Sequence, residues 1–147
     1  MGGMNSEEVL TLTVEESPTE EQLESVIRGL VAYNGSHAGQ EQWSPLAVLC
    51  AEAGVVVGGA VGYTHWDWLF VSHLWVEERW RGQDWGTRLL ERLEEAARGR
   101  GCRKAHLDTF SFQALGFYEK QGYERFGTLP NYPPGHSRYF LWKRLPE

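Results

Sequence analysis

The stretch Leu74-Trp75-Val76-Glu77-Glu78-Arg79-Trp80-Arg81-Gly82-Gln83-Asp84-Trp85-Gly86-Thr87 runs from an apolar, strand-like segment through a polar turn with glycines into the start of a helix. That helix is the clearest in the chain. Over residues 87–98, Leu89, Leu90, Leu93, Ala96 and Ala97 recur at helical spacing, and Gly99 with Gly101 ends the run. A helix start carries unpaired N–H groups and the positive end of the helix dipole, and glycine lets an oxygen-rich ligand approach the main chain. Strand, turn and helix in this order predict an anion site, to which Arg81 adds charge-assisted hydrogen bonds. It is not the nucleotide P-loop, which needs Lys followed by Ser or Thr, and it does not match GxGxxG.

The flanking sequence supplies the rest of an α/β domain. Residues 9–14 alternate and read as a first strand. Ser17 precedes Pro18 and lies three residues before Glu20, which predicts a helix start with a capping box and an apolar face of Leu23, Val26, Ile27, Leu30 and Val31. Residues 34–44 are polar and aperiodic, a loop placed to border a substrate site. Strands are expected at 45–51 and 55–64, turned at Ala53 and Gly54, then at 69–76 after the turn of Trp66, Asp67 and Trp68. Beyond the central helix come a strand at 104–109, a helix from about residue 112 to 121 stopped by Gly122, and strands at 123–129 and 138–144. The unit of strand, helix and strand across 69–109 argues for parallel pairing, and the hairpins around it make the whole sheet mixed.

Composition sets the outer limits. The 147 residues suit one domain, 1–147, and 41% hydrophobic and 13% aromatic residues, with seven tryptophans, are far from a disordered composition. A net charge of -6 argues against nucleic acid or an anionic membrane as partner, although residues 77–104 hold eight basic against six acidic residues. That local excess suits a polyanionic cofactor. Cys50 and Cys102 are the two cysteines, without metal-ligand spacing, and are expected to be reduced and buried; no metal site is indicated. Glutamates up to Glu16 do not make a signal peptide and no run approaches a membrane span, so a cytoplasmic location is expected.

Residues 81–86 resemble the signature of the GNAT superfamily of N-acetyltransferases, in which Arg or Gln is followed by two residues, Gly, one residue, and Gly or Ala. Arg81 and Gly86 fit, and Asp84 stands at the middle glycine. Aspartate tolerates a turn conformation, but a carboxylate facing pyrophosphate would repel it. Asp84 is therefore expected to turn away and leave the amides from Gln83 to Thr87 to bind. A second stretch, Ala114-Leu115-Gly116-Phe117-Tyr118-Glu119-Lys120-Gln121-Gly122-Tyr123, resembles the family's helix and turn. Ser111 stands where the family often has asparagine, and either bonds the donor's pantetheine arm or caps the helix. Residues 132–141 resemble a bacterial branch of small GNAT proteins whose acceptors are mostly unassigned.

The resemblance implies a mixed, mostly antiparallel sheet with one parallel pair at a V-shaped split, flanked by helices. It implies acetyl transfer from acetyl-coenzyme A to an amine by direct attack in a ternary complex, with a small-molecule acceptor and a homodimer as the assembly. The donor would lie along Leu74, Trp75 and Val76, on Arg81, Gly82, Gln83, Asp84, Trp85, Gly86 and Thr87, and beside Ser111. Tyr118 matches the tyrosine that protonates the coenzyme A sulfur. His73 is the first choice of general base because histidine titrates near neutral pH and this one lies on the strand leading to the donor site. Glu77, His65, Asp67, His136 and Asp108 are alternatives, Asp108 reading also as a structural carboxylate at a strand end. The 34–44 loop, Trp66, Trp68, Phe110, Tyr132 and His136 are expected to line the acceptor side. The competing reading is a non-catalytic module of the same fold that binds acyl-coenzyme A or a protein.

Overall fold

Thr19, two residues beyond Ser17, caps the first helix. Its hydroxyl accepts from the Gln22 N–H at 3.1 Å, and the Gln22 side chain accepts from the Thr19 N–H at 2.8 Å. This frame places both Glu20 and Glu21 in the first turn, beside the positive end of the dipole, whereas a start at Ser17 would not. Helix α1 (Glu20–Ala38) then runs through the first half of the region expected to be a loop. Ser36 and His37 both bond the Tyr33 carbonyl, at 2.7 and 3.0 Å, and Gly39 ends the helix with φ 81°.

The computed structural model describes residues 9–147, and the chain divides after Glu41 into two compact units. In the first, residues 10–15 have no regular structure, so the strand expected at 9–14 is not formed. Its alternation offers an apolar face, but no strand among the described residues pairs with it, and Leu12 and Val14 are exposed.

The second unit holds one six-stranded sheet in the order β1-β2-β3-β4-β6-β5. Its strands are β1 (Ser44–Glu52), β2 (Val55–His65), β3 (Trp68–Val76), β4 (Lys104–Phe110), β5 (Glu124–Pro130) and β6 (Ser137–Arg144). Only β3 and β4 pair in parallel; every other neighbouring pair is antiparallel. Helix α2 (Trp85–Gly99) is the crossover between them, and α3 (Leu115–Lys120) follows β4. The mixed sheet with one parallel pair is the architecture the sequence implies.

Helix α2 starts two residues before the expected position, and α3 is shorter than expected because Gln113 holds residues 109–113 in a tight turn instead. The Gln113 side-chain oxygen accepts from the Phe110 N–H at 2.8 Å and from the Thr109 hydroxyl at 3.2 Å. Leu89, Leu90, Leu93 and Ala97 of α2 pack on Ala60, Leu69, Val71, Ala105, Leu107 and Leu141 of the sheet, forming the core. Cys102 joins this core, and burial pushes its thiol above the usual range, whereas Cys50 is only half-buried. No described helix is long and apolar enough to cross a membrane.

Among the described residues, Glu94 of α2 is a buried charged group on the core face. It accepts from the Tyr123 hydroxyl at 2.7 Å and pairs with Lys143 of β6 at 2.7 Å, while Lys143 also donates to the Gln121 carbonyl at 2.9 Å. Burial, with the Glu94 charge beside it, raises the Tyr123 hydroxyl far above its ordinary value, so it stays a donor. This network ties α2, the end of α3 and β6 together.

Candidate active site

The ladder between β3 and β4 stops early. Register runs from Trp68 opposite Lys104 to Val71 opposite Leu107, and no pairing continues beyond it. At that point β3 also bulges against β2: Val61 faces His73 and Gly62 faces Val71, leaving Ser72 without a partner residue. Glycine at position 62 permits this close approach, since a Cβ there would fall 2.0 Å from the Phe70 carbonyl oxygen. The extra residue inverts the strand's facing. Before it Leu69 and Val71 turn to the core; after it Leu74 and Val76 do, and His73 and Trp75 are exposed.

Two clefts open along the parted end of β3. The wider, of about 680 Å³, is lined by residues 71–76, Arg81, Asp108, Thr109, Gln113, Ala114 and Tyr118. The narrower, of about 470 Å³, shares Leu74, Trp75, Val76, Arg81 and Ala114 and adds Trp80, Gly82, Asp84, Trp85, Gly86, Thr87 and Phe117. Of the sequence-predicted site residues, His73 and Tyr118 line the wider cleft, and Leu74, Trp75, Val76 and Arg81 line both. Gly82, Asp84, Trp85, Gly86 and Thr87 line the narrower one. Gln83 and Ser111 line neither.

Local geometry gives each its place. A short 3₁₀ turn, Glu78–Trp80, follows β3 and ends at Arg81, whose Nε donates to the Val76 carbonyl at 2.9 Å. The guanidinium is thereby anchored at the strand's end. Gly82 has φ 76° with open space where a Cβ would stand. Asp84, the N-cap of α2, sits at φ 64° and makes no side-chain cap bond. A left-handed conformation favours glycine and is tolerated by aspartate, which gives a backbone reason for the residue the signature expects there. The first helical bond runs from the Arg88 N–H to the Asp84 carbonyl, so the N–H groups of Trp85, Gly86 and Thr87 have no helical acceptor. Trp80 adds a donor that the sequence reading missed: its Nε1 is buried and lacks a hydrogen-bond partner among the described residues.

Tyr118 is nearly buried, and its hydroxyl is pushed up to about 12, first by burial and then by the nearby Asp108 carboxylate. It is therefore protonated at neutral pH. His73 Nδ1 lies 2.9 Å from the Ser72 hydroxyl, which itself donates to the Val61 carbonyl at 3.0 Å. Among the alternative bases only Asp108 lines the cleft. Glu77 pairs with Arg79 at 3.3 Å, His65 stacks between Trp43 and Trp66, the Asp67 carbonyl caps the Arg103 N–H, and His136 meets Phe112 edge-on.

Ser111 caps no helix. Its hydroxyl accepts from the Ser137 N–H at 3.0 Å, and α3 begins at Leu115, behind an N-cap, Ala114, that makes no side-chain cap bond. Of the expected acceptor-side residues, Phe110 and Tyr132 stack with centroids 5.8 Å apart next to the cleft residue Asp108, whereas Trp68 belongs to a separate cleft with His106 and Trp142. Residues 34–38 are helical and Ser44 begins β1, so only residues 39–43 of the 34–44 segment are a connection.

Comparison with known proteins agrees with this geometry. Residues 7–123 match the acetyltransferase (GNAT) family. The chain is 43% identical over 97 residues to blasticidin-S acetyltransferase of Streptomyces morookaense, covering 65% of this chain and 71% of that one. It is 39% identical over 117 residues to acetyltransferase Atu2258 of Agrobacterium fabrum, covering 79% and 85%. The crystal structure of an acetyltransferase from Bacillus cereus superposes with a TM-score of 0.82 at 34% identity, covering 90% of this chain and 98% of that chain. The parted parallel strands, the glycine-bearing turn before α2 and these relatives point the same way, and the chain belongs to the acetyltransferase (GNAT) family, enzymes that use acetyl-coenzyme A as co-substrate.

Proposed function

We propose that the chain transfers an acetyl group from acetyl-coenzyme A to an amine by direct attack in a ternary complex, residues 1–147 acting as one catalytic domain. The observation that carries this reading is the parting of β3 from β4 beyond Val71, with Tyr118 and Arg81 both on the cleft it opens. Bound acetyl-coenzyme A supplies a thioester, an acyl carbon already activated toward amines.

The residues present fit that donor. Main-chain groups of Leu74, Trp75 and Val76 that face the gap left by β4 hold the pantetheine arm. Arg81, the free N–H groups of Trp85, Gly86 and Thr87, the open backbone at Gly82 and the orphaned Trp80 donor form a cradle for pyrophosphate oxygens. Trp80 is the addition that geometry makes to the sequence reading. Gln83, Asp84 and Ser111 stay in the proposed donor surroundings as neighbours of these groups, with Asp84 supplying conformation rather than charge.

An N–H of Leu74 or Trp75 donates to the carbonyl oxygen as negative charge grows there. His73 takes the proton released by the amine as the C–N bond forms, and Tyr118 gives its proton to sulfur as the C–S bond breaks. A hydroxyl raised to about 12 keeps its proton in the resting site and donates a hydrogen bond to sulfur as negative charge builds there; because a thiolate is the weaker base, the raised value makes Tyr118 a weaker acid, and its contribution is this stabilisation as the C–S bond breaks. We further infer a cytoplasmic homodimer; a monomeric mass by light scattering throughout the micromolar range would reject the dimer.

The deciding experiment offers acetyl-coenzyme A with polyamines, aminoglycosides, amino acids and short peptides, and follows thiol release and the mass of the product. An acetylated amine is expected. Tight donor binding with no product across the panel would favour a non-catalytic module.

A further inference from the structure

Asp108 is the one carboxylate on the lining of the wider cleft, and it is held in an unusual way. Arg138 of β6 donates twice to it, through Nε at 2.9 Å and through a terminal nitrogen at 2.8 Å, and both bonds fall on the same oxygen, Oδ1. The other oxygen, Oδ2, accepts no hydrogen bond among the described residues. The Asp108 side chain keeps 20% of its surface exposed and lines the cleft, so this oxygen is open to a donor that enters there.

Arg138 is not available to bind a ligand's carboxylate in its place. Its remaining terminal nitrogen donates to the Tyr132 hydroxyl at 3.2 Å, and its planar head lies 5.6, 5.2 and 5.2 Å from the rings of Phe110, Tyr132 and Phe140. The guanidinium is spent on aromatic faces, a tyrosine and Oδ1. Its effect is to fix the carboxylate in place while leaving Oδ2 for something else. The cleft is thereby polarised: Arg81 lies where the two clefts meet, and Asp108 lines the wider cleft alone.

We propose that Oδ2 of Asp108 is the acceptor-recognition point, receiving an N–H of a protonated nitrogen, so that the acceptor is a cationic amine, and that Arg138 acts as the positioning residue behind it. This rests on the acetyltransfer reading for treating the wider cleft as the acceptor's side. Asp108 is also close enough to Tyr118 to disfavour the tyrosinate, which places the recognition point and the proposed acid in one small volume. No proton or group transfer is assigned to Asp108; its part is to bind and orient.

The test uses 1,3-diaminopropane as the cationic probe and 1,3-propanediol as its neutral counterpart, titrated calorimetrically into the full chain saturated with coenzyme A. Diamine binding is expected to be about 10- to 100-fold weaker in Asp108→Asn than in the wild type, the usual loss for a charged hydrogen bond, with coenzyme A affinity unchanged. Asp108→Glu, which restores the charge, is expected to recover most of it. Carboxyl-carbon NMR on the wild type supplies a reading that needs no variant: the Asp108 signal should move with diamine and not with diol. Equal diamine affinity in Asp108→Asn, an unmoved Asp108 signal, or wild-type binding no better for diamine than for diol would each overturn the proposal. Failure of the acetyltransfer reading looks different: the diamine binds through Asp108, yet no thiol is released with any amine.

Discussion

The Ser72 hydroxyl donates to the Val61 carbonyl at 3.0 Å, stitching shut the bulge that reverses the facing of β3. That single extra residue separates a pair packed on the core, Leu74 and Val76, from an exposed pair, His73 and Trp75. It also coincides with the last parallel pair, Val71 and Leu107, so strand parting and side-chain reversal occur together.

Gly62→Ala should therefore disturb the cleft as well as the fold, because the new methyl group would stand 2.0 Å from the Phe70 carbonyl oxygen and the obstacle is backbone. A loss of about 3 kcal/mol is expected, the upper end of overpacking costs, read from urea unfolding. Gly29→Ala, on the exposed α1 with nothing within 4 Å of its Cβ position, is the control and should not be destabilised.

The Glu94 and Lys143 pair is buried on both sides, at 8% and 12% side-chain exposure, so removing one partner strands the other charge. Lys143→Met is expected to cost about 3–5 kcal/mol, and the double change with Glu94→Gln to cost less than the sum of the two single changes. Additive losses in denaturant unfolding would mean that the two side chains act independently.

Most of the element order was legible in the sequence, and the misses have physical causes. The glycine-bearing turn, the period of α2 and the hairpin at Ala53 and Gly54 are local signals, written within a few residues of where they act. The strand at residues 9–14 failed because alternation supplies a face but not a partner strand. The capping box expected at Ser17 forms two residues later at Thr19, in a frame that brings both Glu20 and Glu21 into the first turn. The parity of His73 depended on a bulge whose sole local trace is Gly62. Arg138 and Trp80 had no signal: one reaches Asp108, 30 residues away, through the pairing of β4 with β6, and the other stands out only by the burial of a single nitrogen.

Tyr118 also sets a pH dependence of stability. Its folded value of about 12 lies above the ordinary value of about 10 for an unfolded tyrosine, so the folded state holds the proton more tightly. The associated stability is fully present below about pH 10 and is lost as pH rises toward about 12, amounting to roughly 2–3 kcal/mol. Tyr118→Phe should flatten that part of the alkaline slope in unfolding free energy measured against pH. An unchanged slope would place the hydroxyl in a more hydrated setting.

Arg81→Ala should weaken acetyl-coenzyme A binding by about 10- to 100-fold, since charged hydrogen bonds to phosphate oxygens are lost. The same change should weaken binding of a dephosphorylated pantetheine fragment much less. Calorimetry on both ligands separates a phosphate contact from a general effect of releasing the Val76 carbonyl that Arg81 now holds; equal losses would mean the latter.

The most direct test of the account replaces one oxygen. Tyr118→Phe keeps the ring packed edge-on against Phe117 and Tyr123, so fold and donor affinity should persist. Turnover of the best amine from the panel should fall by roughly one to three orders of magnitude, the usual worth of a general acid. Thiol release measured at saturating acetyl-coenzyme A, alongside calorimetric donor affinity, reads both quantities on the same protein. Lost turnover with retained affinity is the predicted result; turnover equal to the wild type would contradict a tyrosine that protonates the leaving sulfur.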